Sequence, residues 1–243
     1  TLGGLRPGLR VHIHAGAGGV GMAALQLARR AGAQVFATAG SEPKRATLRA
    51  LGVDHVMDSR TLDFADEVLR LTQGRGVDLV LNSLAGDCIA ASVRCLAADG
   101  VFLEIGKRDI WTPERFAQER PQARYHAIDL NAQRYQDPAA AQALFERVMG
   151  LVNAGELQPL PYHAFALARG AEAFRFMAQA RHTGKVVLTR HDPAQACMES
   201  LSPEASYLVT GGLSGLGLIS AMRLAEQGAR HLVLVGRRAP GEA

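Results

Sequence analysis

The chain has 243 residues, 48% hydrophobic and 21% charged, enough to bury the core of one full domain and part of another. Its 27 Lys and Arg are dispersed among 23 Asp and Glu for a formal net charge of +4, which argues against a nucleic-acid partner. Three cysteines, Cys88, Cys95 and Cys197, form no CxxC pair, a pattern that fits a reducing cytoplasm better than a disulfide scaffold and suggests no metal site.

In chain order, residues 11–15 read as a short apolar strand and residues 22–31 as a helix that Gly32 stops. The uncharged run 11–28 is long enough to raise a membrane span, but His12, His14 and Gln26 among many Gly and Ala favour a buried strand, turn and helix, and no membrane. A strand follows at 34–38. Pro43 suits the first turn of a helix that runs to Leu51, with Gly52 as its stop. Residues 55–57 read as a strand, 63–71 as a helix and 77–81 as a continuous apolar strand buried on both faces. The alternation continues with a helix at 87–97, strands at 101–105 and 125–130, helices at 138–153 and 171–180, and a strand at 186–189. Such alternation means βαβ units and a doubly wound, mostly parallel α/β sheet of the Rossmann type. Residues 191–205, with two prolines, read as a linker. Beyond them an incomplete second Rossmann βαβ unit begins, with strands at 207–210 and 232–235 around a helix at 215–227.

Each of the two units opens on a glycine fingerprint. Gly16, Gly18 and Gly21 have GxGxxG spacing between strand and helix, so that backbone can approach a pyrophosphate drawn to the helix N-terminus. Gly16, Gly18, Gly19, Val20 and Gly21 are the candidate contacts; the bland reading is a plain tight turn. Gly211, Gly215 and Gly217 have GxxxGxG spacing in the same context, which implies a second cofactor site. After the next strand of the first unit come Ser41, Lys44 and Arg45, with no acid at the strand end although Glu42 is close. A hydroxyl and two cations suit the extra phosphate of NADP, and the alternative is a solvated helix start. Arg237 follows the corresponding strand of the second unit and points the same way.

Four blocks then combine into a resemblance: HAGAGGVGMAALQLA (residues 14–28), GVDLVLNSLAG (76–86), FLEIGKRDI (102–110) and AFRFMAQARHTGKVVL (173–188). The sequence from about residue 3 to 190 resembles the enoyl reductase domain of type I polyketide synthases and animal-type fatty acid synthases, within the medium-chain dehydrogenase/reductase superfamily. YLVTGGLSGLGL (207–218) and HLVLVGRRAP (231–240) resemble the opening of the ketoreductase domain that follows it. The resemblance implies three regions: the nucleotide-binding part of an enoyl reductase at 1–190, a linker at 191–205 and the start of a ketoreductase at 206–243. It also implies a substrate-binding subdomain ahead of residue 1.

The reaction implied is transfer of hydride from NADPH to the β-carbon of an α,β-unsaturated thioester on an acyl carrier protein, with a proton added at the α-carbon, in company with the other domains of a cytoplasmic synthase. Lys107 lies two residues beyond an apolar strand, at the sheet edge where open α/β folds bind ligands. An ammonium there stabilises the thioester oxyanion or donates the proton, the latter helped by burial; by spacing alone it is a surface lysine. Asp129 aligns with the aspartate paired with this lysine in the family. The resemblance places Asn82, Ser83, Gly106 and Lys185 near the cofactor, each with the alternative of a polar strand end or turn. His12 and His14 alternate on one strand without a third ligand and read as packing rather than metal binding. Trp111 is either a pocket wall or a cap on the core. Two other readings stay open: a stand-alone quinone or alkenal oxidoreductase of the same superfamily, and a non-catalytic cofactor-binding or structural fragment.

Overall fold

A computed structural model describes residues 2–190, 201–202 and 204–236. Arg237, Cys197 and most of the expected linker therefore lie outside the described residues. The chain divides into two compact units, residues 1–163 with 176–186, and residues 164–175 with 187–243.

The first unit is built on a six-stranded sheet of order β3-β2-β1-β4-β5-β6, whose neighbours all pair in parallel. The strands are β1 (Arg10–Ile13), β2 (Gln34–Ala39), β3 (His55–Asp58), β4 (Val77–Asn82), β5 (Leu96–Glu104) and β6 (Arg124–Ala127). Side chains alternate between the two faces with the period of the pleat. Val11, Ile13, Val35, Ala37, Leu79 and Val101 join Leu25, Ala28 and Leu48 of α1 (Gly19–Arg30) and α2 (Glu42–Ala50) in one core. Phe36, Val80 and Phe102 join Phe64, Val68 and Ile89 of α3 (Phe64–Leu71) and α4 (Asp87–Arg94) in the other. Burial on both faces is why the strands read as unbroken apolar runs. The order reverses between β1 and β4, which opens a crevice at the carboxyl ends of the strands.

Several boundaries differ from expectation. The helix expected at 87–97 ends at Arg94, because Leu96 already pairs with Val77 in the long strand β5. The strand expected at 125–130 stops at Ala127, since Asp129 caps α6 (Leu130–Gln136) by accepting from the amides of Asn131 and Ala132 at 3.0 and 3.1 Å. Neither α5 (Pro113–Glu119) nor α6 was expected. Trp111 is buried among Phe102, Phe116 and Tyr125, which settles it as a core cap. The expected helix 138–153 is α7 (Pro138–Asn153), and β7 (Tyr162–Ala166), α8 (Gly170–Ala178) and β8 (Lys185–Thr189) follow. β7 was not expected; it pairs with β8 in a two-stranded sheet.

In the second unit β9 (Ser206–Thr210) and β10 (His231–Val235) pair in parallel around α9 (Gly215–Glu226). Gly211 has φ of 71° and donates to the Val235 carbonyl at 2.6 Å. The Cβ of any residue replacing Gly217 would collide with the Gly211 carbonyl.

His12 of β1 and His14 just beyond it point into the core beneath Phe64. His14 bonds through Nδ1 to Thr38 Oγ1 at 2.8 Å and through Nε2 to Ser92 Oγ at 2.7 Å. Because the Ser92 hydroxyl donates to the Cys88 carbonyl, His14 Nε2 donates to Ser92, and since burial keeps the ring neutral, Nδ1 accepts from Thr38. His12 is fully buried and neither nitrogen has a partner; burial holds its pKa at about 3, down from 6.5. Burial, reinforced by His12, also lowers His14. The unfolded chain therefore binds more protons below pH 6.5, so stability falls as pH drops from 6.5 toward about 3 through His12, by about 1.4 kcal/mol per pH unit, and His14 acts in the same direction. His12→Leu is expected to raise the melting temperature at pH 8 and to raise it further at pH 5, as scanning calorimetry over that range would show.

Candidate active site

The crevice is formed first by backbone. Ala15 turns the chain after β1 with φ of 49°, the Gly16 amide donates to the Thr38 carbonyl at 2.9 Å and the Gly18 amide to the Ala15 carbonyl at 2.8 Å. Helix α1 then starts so close to the strand that a Cβ at Gly21 would stand 2.5 Å from the Ala15 oxygen and 2.6 Å from Gly16 Cα. Its N-cap, Gly18, is extended and offers no side-chain cap, and no acid lies in the first turn. Amides without a side-chain cap and the positive end of the helix dipole thus face a cleft of about 220 Å³, lined in part by Gly18, Gly19, Val20, Gly21, Leu81, Ser83 and Ile105. Lys185 lies across this turn, with its Cε 2.7 Å from the position of a Gly19 Cβ. The backbone holds it there, through Gly184 N to Ala17 O and Lys185 N to Pro161 O, both at 2.9 Å.

At the end of β2, Ser41 is the N-cap of α2 and makes no side-chain capping bond. Lys44 donates to the Ala180 carbonyl at 2.7 Å, and partial burial lowers its pKa. Arg45 is spent within the fold: it reaches Glu42 at 2.9 Å, Asp58 at 2.7 Å and the Ala39 carbonyl at 3.1 Å, and its side chain is only 16% exposed. The cation that instead borders the β2 end is exposed Arg60, whose Nε lies 3.3 Å from the Cβ position of Gly40, beside Ser59 Oγ at 3.3 Å. Arg60 was not expected because it follows β3, and the signal was the Asp-Ser-Arg run at the end of that strand.

At the other end of the crevice, Asn82 is buried. Its amide donates to Glu104 Oε2 at 2.6 Å and to the Leu84 carbonyl at 2.9 Å, so it shapes the loop after β4. Ser83 is exposed and does line it. Gly106 donates its amide to Glu104 Oε1 at 2.6 Å. Lys107 pairs with Asp129 at 2.9 Å and donates to the Ile128 carbonyl at 3.3 Å. The pairing joins residues beyond the ends of β5 and β6. The burial expected for the lysine is absent, since its side chain is 61% exposed. Helix amides, Ala132 first, and then Lys107 lower the Asp129 pKa, so this acid is a carboxylate at neutral pH.

A family model described as zinc-binding dehydrogenase matches residues 51–188, and one described as KR domain matches residues 205–243. A phenolphthiocerol/phthiocerol polyketide synthase of Mycobacterium tuberculosis is 44% identical over 250 residues, covering 99% of this chain. Mycoketide-CoA synthase of the same organism is 47% identical over 242 residues, covering 98% of the chain. The chain spans only 11% and 6% of these two relatives. Among solved structures, the CurK enoyl reductase superposes with a TM-score of 0.74 at 47% identity, covering 77% of this chain and 56% of that one. The nucleotide-binding subdomain of the enoylreductase domain of PpsC from M. tuberculosis gives 0.60 at 43%, covering 65% and 89%. A Pseudomonas syringae quinone oxidoreductase gives 0.67 at 25%, covering 76% and 57%.

The family's description implies zinc, which the residues do not fit. Among the described residues no three His, Cys, Asp or Glu side chains converge, and both His14 nitrogens are taken. A nucleotide is the better match, because the cleft presents uncapped amides against a turn in which a Cβ has no room. No helix among the described residues is long and apolar enough to cross a membrane. Gly21→Ala is expected to cost about 1–3 kcal/mol through overpacking and to abolish dinucleotide binding; a denaturant titration and a nucleotide titration on one preparation would check both. The chain belongs to the zinc-binding dehydrogenase family, in the branch formed by the enoyl reductase domains of polyketide synthases, and runs on into the start of a KR domain.

Proposed function

We propose that this chain is the cofactor-binding part of an NADPH-dependent enoyl reductase, reducing the α,β-double bond of a thioester carried on an acyl carrier protein. The observation that carries this reading is the Lys107–Asp129 pair, set at the same sheet edge as the uncapped start of α1. Ile105, which lines the α1 cleft, is two residues from Lys107.

The residues divide the work along the crevice. The amides of Gly19, Val20 and Gly21 suit a pyrophosphate. Lys185 adds a cation over the same turn. Lys44 and Arg60, with the Ser41 hydroxyl, suit the 2′-phosphate that separates NADP from NAD, by charge-assisted hydrogen bonds; Arg45 supports them by fixing α2 against β3. Ser83 borders the end where the nicotinamide ring belongs. When bound, NADPH supplies the hydride that goes to the β-carbon. Lys107, held by Asp129, stabilises the negative charge that develops on the thioester oxygen and gives a proton to the α-carbon, regaining it from solvent. The products are NADP⁺ and the saturated thioester.

Gly211, Gly215 and Gly217 are read as the start of a second dinucleotide site, in a unit matched by the KR domain model. That match favours a synthase over a stand-alone quinone or alkenal reductase. A rate that depends on Lys107 would separate an enzyme from a structural fragment.

Nicotinamide fluorescence is expected to show NADPH binding more tightly than NADH. Lys44→Ala with Arg60→Ala is expected to weaken NADPH by 10-fold or more, on the order of 1.4 kcal/mol, while leaving NADH within about twofold. Equal loss for both nucleotides would contradict the assigned phosphate subsite.

A further inference from the structure

Glu104 is the only buried carboxylic acid among the described residues, and no step above uses it. It ends β5 and joins the carboxyl ends of three neighbouring strands. Its Oε2 accepts from Asn82 Nδ2 and its Oε1 from the Gly106 amide, each at 2.6 Å. Its backbone carbonyl accepts from the Ile128 amide at 2.7 Å, while the Ile105 amide donates to the Asn82 carbonyl at 2.9 Å. Gly106 is the residue this joint requires, because a Cβ there would lie 2.7 Å from Glu104 Oε1.

A carboxylate taken out of water is costly, and stability alone is served as well by a neutral or apolar residue of similar volume. Its placement has another consequence. Gly106 fixes the backbone from which Lys107 projects, and Ile128 supplies one of the two oxygens that hold the Lys107 ammonium, at 3.3 Å. Asp129, the next residue, supplies the other at 2.9 Å. The lysine and its acceptors therefore both hang from Glu104.

We propose that Glu104 is the positioning residue for Lys107: its carboxylate clamps Gly106 to Asn82 and its carbonyl anchors Ile128, which together set where the ammonium stands in the crevice. This rests on Lys107 acting on the thioester as described above. Glutamine at this position keeps the shape but turns an amide toward one of two donors, so that one contact opens.

The test is made on the intact protein that carries this chain, with NADPH and a crotonyl thioester. Glu104→Gln is expected to lower kcat by about tenfold or more, since small misplacements of reacting groups are that costly, with the dissociation constant of NADPH within about twofold of wild type. In a Lys107→Ala background the same substitution is expected to cost nothing further, because two groups acting as one are non-additive. Gly106→Ala, which forces the joint from its other side, is expected to lower kcat in the same way. An unchanged kcat for Glu104→Gln, a loss that adds in full to that of Lys107→Ala, or a matching loss of NADPH affinity would overturn the proposal. Failure of the underlying reading shows differently, as a wild-type rate in Lys107→Ala or no turnover by the wild type.

Discussion

Everything at the crevice depends on how closely α1 approaches the end of β1. Gly21 lets the helix start against the Ala15 carbonyl and the Gly16 backbone with no side chain between them. That contact aims the first helical amides at the cleft instead of at a capping side chain. It also brings the turn within reach of Lys185, which the Gly184 and Lys185 amides hold from below. A helix starting one side chain farther out would leave the amides, the cation and Ser83 without a common focus.

The opposite end of the crevice is organised by polar rather than steric means. Three strand ends are tied by Glu104, Asn82 and the Ile128 amide, and the exposed Lys107–Asp129 pair stands on that platform. An exposed ion pair adds little to stability. Asp129 serves twice, because the carboxylate that meets Lys107 also caps α6. Helix and ammonium thus depend on one side chain.

How much of this was legible in the sequence follows from which interactions are local. Strands buried on both faces and helices stopped by Gly32 and Gly52 announce themselves through apolar runs and left-handed glycines, and the glycine spacing marked the turn. The Lys107–Asp129 pair was reachable through family resemblance and not through periodicity, since its partners lie beyond the ends of two different strands. The partners of the other polar groups were not legible. Arg45 looked like a phosphate ligand beside α2, yet Asp58, brought alongside by parallel pairing of β2 with β3, captures it. The same pairing carries Arg60 to the position Arg45 was expected to fill. The register of β4 with β5 sets Asn82 opposite Glu104. Both α5 and α6, begun by Thr112-Pro113 and capped by Asp129, carried local signals that went unread.

In the proposed function, Lys107 and the α1 cleft serve one reaction, the NADPH-dependent reduction of a thioester-linked enoyl group. The most direct measurement supplies the intact protein with NADPH deuterated at C4 of the nicotinamide and a crotonyl thioester on an acyl carrier protein, and reads the product by mass spectrometry and NMR. One deuterium at the β-carbon, one solvent-derived hydrogen at the α-carbon, and loss of both in Lys107→Ala is the predicted result. A product without deuterium at the β-carbon, or one formed equally well by Lys107→Ala, would contradict it.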